Sequence, residues 1–101
     1  MADKQPHDLL DETIHQRTRL AIMATLMGVQ SLDFNELKAH LGLTDGNLST
    51  HLSALEKPGY VKVTKSFVGK RPRTTVAISA KGRQAMANYV DLLGAILKKK
   101  V

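Results

Sequence analysis

The sequence predicts a mainly α-helical fold with one small β-hairpin, an α+β arrangement of three helices, a two-stranded hairpin and a long C-terminal helix. Three observations carry this reading. Apolar residues recur at helical spacing from Leu9 to Leu55. After Gly59 the period drops to two, over Tyr60 to Lys65 and again over Thr74 to Ser79. Helical spacing then returns, with Ser79 as its cap. The 101 residues are expected to form a single domain over 1–101, because 43% apolar content supports one modest core.

Each element follows from local chemistry. The first helix is expected over 9–28, with Leu10, Ile14, Ala21, Ile22 and Leu26 as its apolar positions and Gly28 closing it. Asp33 and Glu36 have the spacing of a capping box, in which each side chain satisfies a free backbone N–H. A short helix follows from Phe34 to about Leu41 and stops at Gly42. Thr44 caps the next helix, which Pro58 and Gly59 end. Two short helices joined by Gly42 and Leu43 predict a helix-turn-helix over 33–57. The hairpin spans 60–79, with Val61 and Val63 facing Val76 and Ile78. Its connection, Phe67 to Arg73, is too long for a two-residue turn and is expected as an extended basic tip. The last helix covers 80–98. A helix-turn-helix followed by such a hairpin is a winged helix-turn-helix, with the hairpin as its wing.

Charge is distributed unevenly. Residues 1–56 hold four Lys/Arg and eight Asp/Glu, whereas residues 57–101 hold eleven and one, a net of +10. Without Lys98, Lys99 and Lys100 the second half still carries +7, so the bias belongs to the fold and calls for a polyanion. The helix after Thr44 explains how. Leu48, Leu52 and Leu55 form one apolar stripe with His51 beside it, read as a partly buried structural histidine. The opposite side carries Thr44, Asp45, Gly46, Asn47, Ser49, Thr50, Ser53 and Lys57. That surface is small and polar, suited to phosphates and base edges, with Gly46 permitting close approach and Asn47 able to pair with adenine. Lys65, Lys70, Arg71 and Arg73 on the wing suit flanking phosphates or a minor groove, and Pro72 restricts the loop.

The last helix bears Met86, Val90, Leu93 and Leu97 at heptad-like steps, with Tyr89 and Ile96 beside them. Leu9, Leu10 and Ile14 can join this face, which exceeds what one small domain covers and predicts a homodimer on a two-fold-symmetric DNA site. Zero cysteines exclude disulfides, zinc ribbons and thiol redox chemistry. His7, His15 and His40 show no ligand pairing, so neither metal nor cofactor is expected. There is no carboxylate pair, nucleophile elbow or phosphate loop, which argues against an enzyme. The N-terminus lacks a signal-peptide core and the apolar runs are too short for a bilayer, so a cytoplasmic location is expected, with no membrane partner.

The tract Leu41-Gly42-Leu43-Thr44-Asp45-Gly46-Asn47-Leu48-Ser49-Thr50-His51-Leu52-Ser53-Ala54-Leu55-Glu56 resembles the small winged-helix regulators related to MarR and ArsR. Arg19 to Met23, Phe34 to Leu37, Gly59-Tyr60-Val61, the wing from Phe67 to Thr74 and Ser79 to Arg83 extend the likeness to nearly the whole chain. The resemblance implies a transcriptional regulator that reads the major groove with the helix beginning at Thr44, grips flanking DNA with the wing and dimerises through terminal helices. It implicates Asp45, Asn47, Ser49, Thr50, Ser53, Arg71 and Arg73. The chain lacks the cysteines common in ArsR-type metal sensors, and Pro58 stands where many relatives have alanine. A pocket between dimer helices and winged domains could take a small apolar effector, though no residue pattern demands one. The runner-up is a winged-helix protein–protein interaction module using the same outer helix face.

Overall fold

The computed structural model describes residues 5–99. A 3₁₀ turn, Pro6–Leu9, leads into an irregular segment before helix α1, Arg17–Met27. The expectation of a helix over 9–28 is thus corrected at its start. The Asp11 carboxylate accepts hydrogen bonds from the backbone N–H groups of Thr13, at 2.9 Å, and Ile14, at 3.2 Å. Such a side-chain turn competes with helix for the same donors. The Gln16 side chain then caps α1 by accepting from the Arg19 N–H at 2.8 Å. Leu10 and Ile14 are buried all the same, presented by an anchored loop and not by a helix face.

Strand β1, Leu32–Asp33, was not expected. It pairs with β3 through Leu32 opposite Val76 and Asp33 opposite Thr75, so the expected two-stranded wing is part of a three-stranded antiparallel sheet of order β1-β3-β2. Two residues leave no alternation to read in a sequence. Helix α2, Phe34–Leu41, starts where Asp33 and Glu36 predict, the Glu36 carboxylate accepting from the Asp33 N–H at 3.0 Å. Gly42 ends it in the left-handed region, φ 65°, where a side chain would be strained. Helix α3, Asp45–Glu56, follows, with the Thr44 hydroxyl accepting from the Asn47 N–H at 3.1 Å.

Strands β2, Val61–Val68, and β3, Arg71–Ile78, run further than period-two alternation suggested. Val61 lies opposite Ile78, Val63 opposite Val76 and Val68 opposite Arg71. The expected long connection is therefore corrected to a two-residue turn, Gly69-Lys70. Among the described residues positive φ occurs at Gly69, 63°, and at no non-glycine residue, which is the type II′ pattern favoured between twisted strands. Pro72 is tolerated in β3 because β1 pairs only with Thr75 and Val76, leaving that side of β3 open at the tip.

Helix α4, Ala80–Lys99, crosses back over the body. The core contains Ile22, Met23 and Leu26 from α1, Leu37 from α2, Leu48, Leu52 and Leu55 from α3, Val76 from β3 and Met86 and Tyr89 from α4. Fully burying each leucine of the α3 stripe stabilises the fold by about 2 kcal/mol. Among the described residues no polar side chain is buried. The radius of gyration is 15.6 Å, against about 13 Å for a spherical domain of this length.

Candidate nucleic-acid interface

The α3 stripe fixes which side of the helix faces outward. Leu48, Leu52 and Leu55 are buried, which leaves Thr44, Asp45, Gly46, Asn47, Ser49, Thr50, Ser53 and Lys57 exposed. His51 is half-buried, its Nδ1 3.4 Å from an Arg19 guanidinium nitrogen. Arg19 also donates to the Thr13 carbonyl, so this pair ties the segment before α1 to α3.

Two ion pairs brace this surface. Lys38 Nζ lies 2.7 Å from Asp45 Oδ1, joining α2 to the first turn of α3 and holding Asp45 near the positive end of that helix. Arg73 Nε lies 2.8 Å from Asp33 Oδ1. Arg73 is thus engaged with the α2 cap, while Lys65, Lys70 and Arg71 are exposed without a salt-bridge partner among the described residues. Both pairs are solvent-accessible, so each contributes at most about 1 kcal/mol and serves mainly to orient. Neither Lys38 nor the Asp33–Arg73 pairing had a signal in the sequence, because each joins elements whose relative placement is tertiary.

Between α3 and the wing runs a groove of about 350 Å³ lined by Phe34, Ser49, Leu52, Ser53, Glu56, Val63, Lys65 and Thr74. Ser49, Ser53 and Lys65, expected from separate elements, meet on its walls. Glu56 adds an acid there at the far end of the helix.

The expected dimer residues divide. Leu10, Ile14, Met86 and Tyr89 are buried within the chain itself, and Ile96 packs partly against the same core. Leu9 at 56%, Val90 at 57%, Leu93 at 37% and Leu97 at 65% remain exposed. Tyr89 also hydrogen-bonds His15 Nδ1 at 2.8 Å. Tyr60 donates its hydroxyl proton to the Asp11 carboxylate. That hydrogen bond, with burial and the nearby negative charge, pushes the Tyr60 pKa up to about 12. Arg83 caps the end of α1 by donating to the carbonyls of Met27, at 3.0 Å, and Val29, at 3.3 Å. Among the described residues no group of three or more His, Asp or Glu side chains is placed to hold a metal, and no helix is long and apolar enough to cross a membrane.

A capped helix-turn-helix with a polar outer face, flanked by a basic hairpin, defines a winged helix module of the DNA-binding type. The chain belongs to the winged helix DNA-binding domain family, which it matches over residues 18–97. It is 46% identical over 72 residues to an uncharacterized protein of Methanocaldococcus jannaschii, covering 71% of this chain and 78% of that one. Similar solved structures are transcriptional regulators. A transcriptional regulator homologue from Pyrococcus horikoshii is 31% identical, covers 88% of each chain and superposes with a TM-score of 0.82. A protein assigned to the MarR family from Enterococcus faecalis is 26% identical, covers 99% of this chain and 93% of that one, and gives 0.75. The fold is shared too with AbfR, solved bound to DNA, at 21% identity and a TM-score of 0.70 over 80% of this chain and 59% of that one.

Proposed function

We propose that the chain is a cytoplasmic transcriptional regulator that binds double-stranded DNA as a homodimer. Helix α3 enters the major groove, and the wing lies on the flanking backbone or minor groove. The observation that carries this reading is the meeting of Ser49 and Ser53 of α3 with Lys65 of the wing along one groove. Their neighbours Thr44, Asn47, Thr50, Lys70 and Arg71 are all exposed. Small donors on the helix suit base edges, and the unpaired wing cations suit phosphates. AbfR, which has this fold, is solved in complex with DNA.

The exposed Leu9, Val90, Leu93 and Leu97 supply the dimer contact. A two-fold axis there presents two α3 helices to half-sites about 34 Å apart, or a multiple of that. Binding to random-sequence duplex DNA across a salt series tests the reading, with the mass of the free protein measured by light scattering. Affinity falls steeply with salt if phosphates are neutralised. No binding at low salt, or a monomer mass at the concentrations that bind, refutes the corresponding part.

A further inference from the structure

The wing tip carries apolar surface that neither the core nor the interface described above uses. Phe67 is 73% exposed and Val68 58%. In the antiparallel register Phe67 stands opposite Pro72, and Lys65 opposite Thr74. Directly opposed residues, and those two apart on a strand, project to one face. Phe67 and Pro72 therefore share the face that carries Val61, Val63, Val76 and Ile78 at the base of the hairpin and lines the α3 groove at Lys65 and Thr74. The ring lies on the α3 side of the wing, past that groove, with little of it covered.

Its surroundings select the occupant. From Val61 to Ile78 the hairpin holds five cations, Lys62, Lys65, Lys70, Arg71 and Arg73, and no acid. A ring set in positive charge repels a second copy of the same tip. It suits a polyanion with apolar surface within reach, and the minor groove of a duplex offers sugar and base edges between two rows of phosphates. We infer that Phe67, backed by Pro72, is an apolar wedge that enters the minor groove of the bound duplex and partly opens a base step, with Lys70 and Arg71 on the bordering phosphates. The two-residue turn and Pro72 hold the tip in place, so little conformational freedom is lost on binding. This inference rests on the DNA-binding reading above and adds to it a contact that carries no charge.

The test uses the full chain and an end-labelled duplex of about 30 base pairs, selected by the wild-type protein from a random pool and read for bending by energy transfer. Phe67→Ala is expected to lower affinity about tenfold, to leave the dependence of log K on log salt unchanged and to remove most of the bend. Phe67→Leu retains most of both, and Arg71→Ala instead lowers the salt slope by about one. The ring is exposed, so melting temperature stays at the wild-type value in both Phe67 variants. Phe67→Ala that binds and bends DNA like the wild type overturns the wedge and leaves DNA binding intact, as does an unbent wild-type complex. A wild-type chain that binds no duplex at low salt overturns both readings. A fall in the mass of the free protein on Phe67→Ala overturns the wedge by assigning the ring to an interface between copies.

Discussion

Replacing Gly82 by alanine is expected to destabilise the fold, although alanine is the better helix former. Gly82 lies in the first turns of α4, where the helix seats against the start of β2. The Ser79 hydroxyl donates to the carbonyls of Gly59 and Tyr60 and accepts from the Gly82 N–H at 2.9 Å. A Cβ at position 82 would stand 2.1 Å from the Tyr60 carbonyl oxygen and 2.8 Å from Ile78 Cγ1. The first of these is backbone, so relief requires α4 to move away from β2 and break that cluster. A 2.1 Å approach to backbone belongs at the upper end of overpacking costs, about 3 kcal/mol, and the helix propensity of alanine returns about 1 kcal/mol. The net loss of about 2 kcal/mol lowers Tm by roughly 8–16 °C in a domain of this size. Gly46→Ala is the control, because nothing lies within 4 Å of the added methyl group and the same propensity stabilises by up to about 1 kcal/mol. Thermal unfolding followed by circular dichroism measures both. Gly82→Ala melting at or above the wild-type temperature would refute the steric account.

Other outcomes follow from the interface. Asn47→Ala or Thr50→Ala is expected to shift sequence preference, costing about 1–3 kcal/mol at the affected base pair; equal loss at selected and random duplexes argues against base readout. Leu93→Glu, on the exposed face of α4, should convert the proposed dimer to a monomer while leaving circular dichroism unchanged, and identical masses for both proteins contradict the proposed seam. The raised Tyr60 pKa gives a signed pH dependence. The hydrogen bond to Asp11 stabilises the fold fully below the unfolded tyrosine value of 10.0, and that contribution is lost as pH rises toward about 12. Tyr60→Phe should therefore flatten the stability decline in that window and remove the ionisation step near pH 12 from a spectrophotometric titration; loss of a step near the ordinary tyrosine value of 10.0 instead counts against the Asp11 contact.

The outward face of α3 and the basic wing are legible in the sequence for identifiable reasons. An apolar stripe at Leu48, Leu52 and Leu55 determines the opposite face of α3 by helical geometry alone. The Asp33–Glu36 spacing and Thr44 place both helix starts through contacts within four residues. Period-two alternation ends at Lys65 in the sequence, so Phe67 reads as loop, whereas strand β2 continues to Val68 and sets the ring on a strand face. Arg73 looked like its neighbours in sequence and is separated from them by its pairing with Asp33, forty positions away. Leu10 and Ile14 have helical spacing, yet Asp11 diverts the backbone between them, so α1 starts later than the periodicity predicts.

By itself the sequence determined the winged helix arrangement, the outward face of α3 and the basic character of the wing. These depend on periodicity, capping and charge, all of which are local. Only the tertiary structure decided the short β1 strand, the tight Gly69-Lys70 turn and the division of the terminal apolar residues between core and surface. Met86 and Val90 have the same spacing signal, yet Met86 is 6% exposed and Val90 57%. Which side chain is covered depends on what packs over the helix, and for α4 those neighbours are the Pro6–Leu9 turn and α1, both far earlier in the chain.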